Sequence, residues 1–421
     1  MTGATWDLLK TNGDFRRLFA ARLTSLFGDW LTLLAVVESL RRMQGGGGAL
    51  AFAYVLVLKT LPTLLIAPWA GVIVDRVSRK GLLVATDLAR AAIVLGLFVA
   101  CQGDHPGVLY ALVFAQTVCQ GIAEPARNAV VPDVVAAEHL SAANALNAAA
   151  WSLMFTAGTL AGGPIAAWVG PGAAFGIDAL TYGLSAALVL GVAIPALPAR
   201  EAEPRTLSGL LGLKPMLEGF RYLLQRPRLL TLALAKPGWS LAGATTLLLT
   251  LLGEDFGARW GRDDKVFLVA LLWCARGVGT GVGPLLARHL ARDEPRRMER
   301  LIGLSYLWGA GFYLLLGQVS GFALSLLCVA LAHLGGSTVW VLSTIRLQAE
   351  TPTEVRGRVF ASEQGAWTLL MASSTFGFAV WIDHFGGQLP HALSLVGLLL
   401  LIPAGLWALR MRWTPAEVAA E

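Results

Sequence analysis

The sequence predicts an all-α polytopic membrane protein with 12 transmembrane helices in two pseudo-symmetric six-helix bundles. Of its 421 residues, 56% are hydrophobic and only 14% are charged, whereas soluble domains carry about 25% charged residues. Runs of about 20 apolar residues, the length of a membrane-spanning helix, recur along the whole chain. One long polar stretch lies at the middle and separates six of these runs from the other six.

The apolar runs define the predicted spans in chain order. Their approximate extents are 15–40, 49–73, 81–101, 107–128, 141–168, 172–194, 229–253, 265–287, 300–318, 320–347, 358–382 and 391–410. The first run is interpreted as a retained span, because charged residues stand where a signal peptide needs its apolar core.

The basic residues predict the orientation. With the N-terminus inside, 23 of the 33 Lys and Arg residues lie on the cytoplasmic side, 5 lie outside and 5 lie within spans. By the positive-inside rule, this bias places both termini on the cytoplasmic side of the membrane. The membrane is expected to be a bacterial cytoplasmic (inner) membrane. The net charge of +6 does not indicate nucleic-acid binding, because the basic residues are scattered in short loops.

The polar stretch, residues 195–228, is predicted to be a cytoplasmic linker between an N-terminal bundle (1–194) and a C-terminal bundle (229–421). Apolar and basic residues recur within it at helical spacing, which predicts an amphipathic helix on the cytoplasmic membrane surface. The alternative is a solvated connector. The apolar residues are Leu207, Leu210, Leu211, Leu217, Phe220 and Leu224, and the basic ones are Lys214, Arg221 and Arg228.

The two halves contain a repeated segment. GVIVDRVSRK at 71–80 and GPLLARHLAR at 283–292 share the initial Gly, the Arg at the sixth position and the final basic residue, and Ala287 stands where the first copy has Asp75. Two similar six-helix halves are the layout in which transporters place a substrate site near mid-membrane.

These residues resemble the major facilitator superfamily. GVIVDRVSRK is similar to its signature loop between spans 2 and 3, and Gly158, Gly162, Gly163 and Pro164 are similar to its antiporter-type Gly-Pro motif. The resemblance covers essentially the whole chain and implies alternating-access transport.

Three longer segments resemble one branch of that superfamily, the branch that contains enterobactin exporters and macrolide-efflux proteins. They are FRRLFAARLTSLFGDWLTLLAV at 15–36, EPARNAVVPDVVAAEHLSAANALN at 124–147 and TPTEVRGRVF at 351–360. The branch also includes lysophospholipid transporters, so the resemblance does not select one substrate.

The loop that contains Asp75 is a predicted cytoplasmic gate. Its Gly allows two helices to approach closely, and Asp75 can accept hydrogen bonds from the N-terminus of a neighbouring helix, which the resemblance identifies as span 11. The alternative is a basic inner loop with one compensating acid. The predicted gating residues of this region are Gly71, Asp75, Arg76, Arg79, Lys80, Asp87 and Arg90. Asp87 and Arg90 could pair with each other or join the network of the loop.

The Gly-Pro region of span 5 completes the gating set with Gly158, Gly162, Gly163 and Pro164. Missing side chains allow close helix packing, and Pro164 removes one backbone donor and favours a kink. A hinge and ordinary small-residue packing both remain open.

Charged residues inside the spans are candidates for function, because each costs about 2.5–3.5 kcal/mol at mid-membrane. Three interpretations stay open. The charges could pair with one another, Arg22 or Lys59 with Asp29 and Arg276 with Glu363. Carboxylates could bind and release a coupling proton, and the candidates are Asp29, Glu38 and Glu363. Surplus positive charge could receive an anionic or zwitterionic substrate group. Glu38, Asp178 and Glu124 are expected nearer the span ends, within reach of water.

Tryptophans deep in the spans are expected to line an amphipathic cavity for a bulky, partly aromatic compound. The alternative is that their rings face lipid. Together with the charges they form the predicted substrate-binding set of Arg22, Asp29, Trp30, Lys59, Gln116, Trp151, Lys236, Trp239, Arg276, His333, Trp340 and Trp367. His333 is expected to be a packed polar residue rather than a proton carrier.

The sequence therefore predicts a secondary active transporter that exports small amphipathic compounds, of drug or siderophore type, in exchange for protons. The alternatives are a lysophospholipid transporter and a non-transporting membrane sensor or scaffold. An enzyme is not expected, because GxxxxGK[ST], HExxH and GxSxG patterns are missing. No cofactor or metal is expected, and the four cysteines lack metal spacing. The expected partners are a small-molecule substrate, membrane lipids and protons, and the protein is expected to be a monomer.

Overall fold

The computed structural model describes residues 3–43, 49–136, 139–194, 213–262, 265–292 and 294–413, and its regular elements in these ranges are all helices. The chain divides into two units, each packed mainly against itself. Unit 1 comprises Met1–Gly212 and Gly253–Cys274, and unit 2 comprises Leu213–Leu252 and Ala275–Glu421. The predicted bundle limits of 1–194 and 229–421 stay predictions.

Unit 1 contains the first eight helices of the described ranges. They are α1 (Gly3–Thr11), α2 (Gly13–Met43), α3 (Ala49–Leu58), α4 (Leu61–Arg76), α5 (Arg79–Ala100), α6 (Pro106–Val134), α7 (Leu140–Pro164), which continues as a π-helical turn (Ile165–Val169), and α8 (Pro171–Leu190). Helix α2 packs against both α7 and α8, and α8 also packs against α5. These neighbours bring polar residues of α2, α5 and α8 together.

The described part of the chain continues with nine helices. They are α9 (Leu213–Leu224), α10 (Pro227–Ala233), α11 (Ala235–Ser240), α12 (Thr245–Arg259), α13 (Lys265–Ala291), α14 (Pro295–Leu316), α15 (Phe322–Glu350), α16 (Thr353–Phe385) and α17 (Leu389–Trp413). In unit 2, α14 packs between α15 and α17, and α16 packs against α9 and α11.

Ten segments of the described chain are long and apolar enough to cross a membrane. The predicted spans 229–253 and 300–318 are outside this set of ten. The first is divided among α10, α11 and α12, and the second corresponds to α14, whose first turns carry Arg and Glu residues that lower its hydropathy.

Two predicted spans are each built from more than one helix. Span 49–73 breaks at Lys59 and Thr60, and span 229–253 breaks first at Leu234. Each break precedes a proline, Pro62 or Pro237, in the first turn of the next helix. A proline ring clashes with the carbonyl four residues earlier, which here belongs to the last residue of the preceding helix.

Helix α9 is the described part of the predicted amphipathic segment, and Leu207, Leu210, Leu211 and the side chain of Lys214 lie outside the described part. Leu223 is buried, whereas Leu217, Phe220 and Leu224 are exposed. Gly219 lies against α16, because a Cβ placed on it would come within 2.0 Å of the carbonyl oxygen of Arg358. Helix α9 therefore docks on α16 with an apolar face still exposed, and its location at the membrane surface stays a prediction.

Candidate functional site

Asp29 of α2 is the centre of a polar network in unit 1. Its two carboxylate oxygens accept hydrogen bonds from Nη2 of Arg90 on α5, at 2.9 and 2.8 Å. The hydroxyl of Tyr182 on α8 donates a third bond at 2.7 Å, and the Arg90 guanidinium lies 4.3 Å from the centre of the Tyr182 ring. Arg90 therefore balances the charge of Asp29, and Tyr182 fixes its orientation.

The possible ion pairs of Asp29 with Arg22 or Lys59 do not form among the described residues, since Asp29 pairs with Arg90. Arg22 pairs with Glu124 at 3.1 Å. Lys59 donates to Oε1 of Gln116 at 2.7 Å, and the Gln116 amide donates to the Tyr182 hydroxyl at 3.1 Å. A hydrogen-bonded chain thus runs from Lys59 through two neutral side chains to Asp29.

Asp87 joins the same network from α5. The Ser185 hydroxyl donates to its carboxylate at 2.6 Å, and nitrogens of Arg90 and Arg127 lie 3.9 and 3.8 Å away. The expectation that Asp87 and Arg90 pair agrees with this geometry. Tyr182 and Ser185 of α8 and Arg127 of α6 were missed at the level of sequence. For Tyr182 and Ser185, the polar positions of α8 were the available signal.

Two carboxylates expected within reach of water are buried. Glu38 is 1% exposed and accepts hydrogen bonds from Arg41 at 2.8 Å and Arg42 at 2.6 Å. Asp178 is 0% exposed. The expectation of water access was wrong for both, because α2 and α8 pack closely where these residues lie. A proton-coupling role for Glu38 stays a prediction.

In unit 2, Lys236 of α11 and Glu363 of α16 form a buried ion pair, with Nζ 3.1 Å from Oε2. The second carboxylate oxygen, Oε1, is buried and has no hydrogen-bond partner among the described residues. Glu363 thus pairs with Lys236 rather than with Arg276, the partner considered above, and Arg276 donates to the Thr246 hydroxyl. Glu363 therefore has one oxygen that can still accept a proton or a hydrogen bond.

Aromatic rings surround the Lys236 ammonium. It lies 5.1 Å from the Trp340 ring centre and 5.7 Å from that of Phe360, within cation–π range. Trp367 meets Trp340 edge-on at 5.1 Å, and Trp340 is 37% exposed. This cluster combines an ion pair with accessible aromatic surface.

Two other predicted substrate contacts of unit 2, Trp239 and His333, pack against its own helices. A Cβ at Gly336 or Gly309 would come within 2.4 or 2.6 Å of the Trp239 ring, so Trp239 fills the space that these glycines leave. His333 is 4% exposed and shares a 2.7 Å hydrogen bond with Tyr313. Substrate contact by Trp239 and His333 stays a prediction.

Unit 1 has its own aromatic cluster. Trp30 lies 5.7 Å from Trp151 and 4.4 Å from Phe155, and Trp151 is 38% exposed. Trp151 therefore offers apolar surface next to the helix that carries Asp29.

The Gly-Pro segment forms close helix contacts. A Cβ on Gly158 would lie 2.7 Å from Cβ of Trp30, and one on Gly163 would lie 2.2 Å from that of Ala270. Gly162 likewise lies against α2. Pro164 is the last residue of α7 before the π-helical turn. Close packing accounts for the glycines, and a hinge stays a prediction.

Only part of the predicted gate loop is described. Arg79 pairs with Asp133 at 2.6 Å, and Lys80 donates to the Val192 carbonyl at 2.9 Å. Gly71 lies within α4, but the side chains of Asp75 and Arg76 lie outside the described part of the structure, so the latch stays a prediction. Among the described residues, no group of three or more His, Cys, Asp or Glu side chains could hold a metal ion.

The sequence model of the Major Facilitator Superfamily matches residues 18–375. The enterobactin exporters EntS of Shigella boydii serotype 18 (strain CDC 3083-94 / BS512) and Escherichia coli O81 (strain ED1a) are each 27% identical to this chain over 438 residues. Both matches cover 99% of this chain and 97% of the relative.

Solved structures share the fold. The nucleoside transporter NupG superposes with a TM-score of 0.71 at 11% identity, over 94% of this chain and 99% of its own. A bacterial homologue of the human lysosomal transporter Spinster superposes with a TM-score of 0.68 at 14% identity, over 96% and 100%. The chain therefore belongs to the Major Facilitator Superfamily, as a multi-pass membrane transporter with the 12-helix fold of two six-helix bundles.

Proposed function

We propose that this protein is a proton-coupled exporter of small amphipathic compounds of siderophore type and works by alternating access. The relatives that match nearly its whole length are named enterobactin exporters, which supports the substrate class. In this proposal the protein is a monomer in a bacterial inner membrane with both termini in the cytoplasm. Transport involves no covalent chemistry, no cofactor and no nucleic acid.

The observation that carries this proposal is the half-satisfied carboxylate of Glu363. Lys236 occupies Oε2 and leaves Oε1 buried without a partner among the described residues. An unsatisfied buried oxygen of this kind costs about 1–3 kcal/mol or more when it is charged. A proton or a hydrogen-bond donor from a substrate removes this cost.

Proton and substrate would compete for this one oxygen. A proton on Oε1 removes the negative charge of the carboxylate, so a substrate hydroxyl or ammonium group that donates to this oxygen binds less strongly. Competition of this kind couples substrate binding to proton release, as exchange requires. Trp340, 37% exposed, would stack on an aromatic part of the substrate.

Unit 1 has a separate polar network. In it, Lys59 has the neutral Gln116 as its hydrogen-bond partner. Asp29 is bound by Arg90 and Tyr182. We propose that Asp29 keeps this network in place and that Glu363 is the exchanging carboxyl.

The test uses purified protein in liposomes with an imposed pH gradient and a metal-free tricatechol compound as substrate. We expect proton-driven accumulation in the wild type and a loss of about tenfold or more in Glu363→Gln. Downhill movement of the compound should persist in the variant, because the amide keeps the shape of the site.

The matched control is Glu218→Gln, which also removes a carboxylate from an ion pair of unit 2, the one with Arg358 at 3.1 Å. It should accumulate substrate like the wild type. Accumulation by Glu363→Gln at the wild-type level would contradict the proposed role of Glu363. Movement of a lysophospholipid but of no catechol compound would contradict the proposed substrate.

A further inference from the structure

Asp178 of α8 is a buried carboxyl group whose hydrogen-bond partners among the described residues are both hydroxyl groups. Its side chain is 0% exposed. The Thr32 hydroxyl lies 2.5 Å from Oδ2, and the Thr181 hydroxyl lies 3.0 Å from Oδ1. Thr32 is itself fully buried, so Asp178 is shielded on the side of α2.

The charged groups that face Asp178 from neighbouring elements are Asp29 on α2, Arg90 on α5 and Lys59 at the break between α3 and α4. Arg90 directs Nη2 at both oxygens of Asp29, and Lys59 donates to Gln116. Among the described residues, no cationic side chain forms an ion pair with Asp178 within 4 Å, and Arg90 pairs with other carboxylates.

These surroundings favour a neutral carboxyl. An ionised carboxylate in a buried site without a cation is strongly unfavourable, and such a group binds a proton instead. When two nearby carboxylates compete, the one with a cation stays ionised and the other keeps the proton. Asp29 has Arg90 as its cation, so Asp178 is the carboxyl that keeps the proton.

The two threonine hydroxyls suit both protonation states. A hydroxyl accepts a hydrogen bond from the protonated carboxyl and, after rotation about its C–O bond, donates one to the ionised form. An arginine partner would stabilise the ionised form alone. The two hydroxyls can therefore bond either protonation state of Asp178.

We propose that Asp178 holds a second exchangeable proton of the transport cycle, in unit 1. The O–H bond at Asp178 breaks, the proton passes to water when the carboxyl is exposed during the cycle, and the reverse step reloads it. This proposal rests on the proposed function, since it adds a second carboxyl to proton-coupled export.

Two measurements on full-length protein test it. The first is infrared spectroscopy of the protein in detergent, in which the spectra in ordinary and deuterated water are subtracted from each other. A protonated carboxyl group gives a carbonyl stretching band that shifts in deuterated water. We expect Asp178→Asn to remove one such band and Thr32→Val to shift its frequency, because Thr32→Val removes a hydrogen-bond partner at nearly constant shape. Asp133→Asn, in an ion pair of the same unit with Arg79, should leave the band unchanged.

The second measurement counts protons moved per molecule of a tricatechol compound in liposomes. We expect one proton fewer in Asp178→Asn than in the wild type, whereas Asp133→Asn should match the wild type. A band that persists in Asp178→Asn would overturn the protonated state. A band that is lost while the proton count stays unchanged would overturn the exchange.

The outcomes separate the two proposals. A wild-type protein that moves substrate without any protons would contradict proton-coupled export itself, and the exchange at Asp178 would fall with it. Proton-coupled export that survives in Asp178→Asn with an unchanged count would overturn the role of Asp178 alone. If Asp178→Asn does not fold, Thr32→Val decides the matter, since an unshifted band in that variant would overturn the assignment.

Discussion

Two ion pairs join helices in the interior of the units. Asp29 binds Arg90 across α2 and α5, and Lys236 binds Glu363 across α11 and α16. A charge inside a membrane span costs about 2.5–3.5 kcal/mol on insertion scales, so each pair must form as its helices pack. The pairs therefore couple the polar sites to the assembly of each unit.

The Asp29–Arg90 pair makes a prediction about stability. Arg90→Gln leaves Asp29 as a nearly buried carboxylate without its cation, and loss of one partner of a buried pair costs about 3–5 kcal/mol. The double variant Asp29→Asn/Arg90→Gln removes both charges and should recover more than half of that loss. Denaturant unfolding in detergent measures the free energies, and a double variant no more stable than Arg90→Gln would contradict the pairing.

At the scale of the helices, glycines set how closely α2 approaches its neighbours. Gly158 and Gly162 of α7 face Trp30 and Leu31 of α2, and Gly28 of α2 faces Asp178 and Thr181 of α8. Small residues of this kind allow helix backbones to approach in membranes, where packing rather than hydrophobic burial drives association. Helix α2 consequently carries its polar residues into the interior of unit 1.

Gly28 gives the sharpest packing prediction. A Cβ there would lie 1.9 Å from Oδ1 of Asp178 and 2.2 Å from Oγ1 of Thr181. Gly28→Ala must displace the Asp178 and Thr181 side chains or push α2 away from α8, at a cost of about 1–3 kcal/mol for overpacking. The melting temperature in detergent should fall.

The matched control for this variant is Gly183→Ala on α8, where a Cβ meets no heavy atom within 4 Å. Because alanine favours a helix over glycine, this variant should be as stable as the wild type or slightly more stable. Equal melting temperatures for Gly28→Ala and the wild type would show that α2 and α8 do not approach as described.

At the scale of the whole molecule, the fold was predictable, because bilayer thickness fixes the length of apolar runs. The breaks before Pro62 and Pro237 were also within reach, since each proline stands inside a predicted span. The partner of Asp29 was not, because Arg90 lies on a helix whose adjacency to α2 and α8 follows from tertiary packing. For the same reason, Arg276 was the only partner considered for Glu363 at the level of sequence, whereas the structure pairs Glu363 with Lys236.

Substrate and proton should compete at Glu363 if the protein exchanges one for the other. Proton release shows this in purified protein in weakly buffered detergent, followed with a pH indicator while a metal-free tricatechol compound is added. We predict release by the wild type and about one proton fewer per bound ligand in Glu363→Gln, with ligand still bound by both. Equal binding with equal proton release in the two proteins, or with none in either, would contradict this exchange.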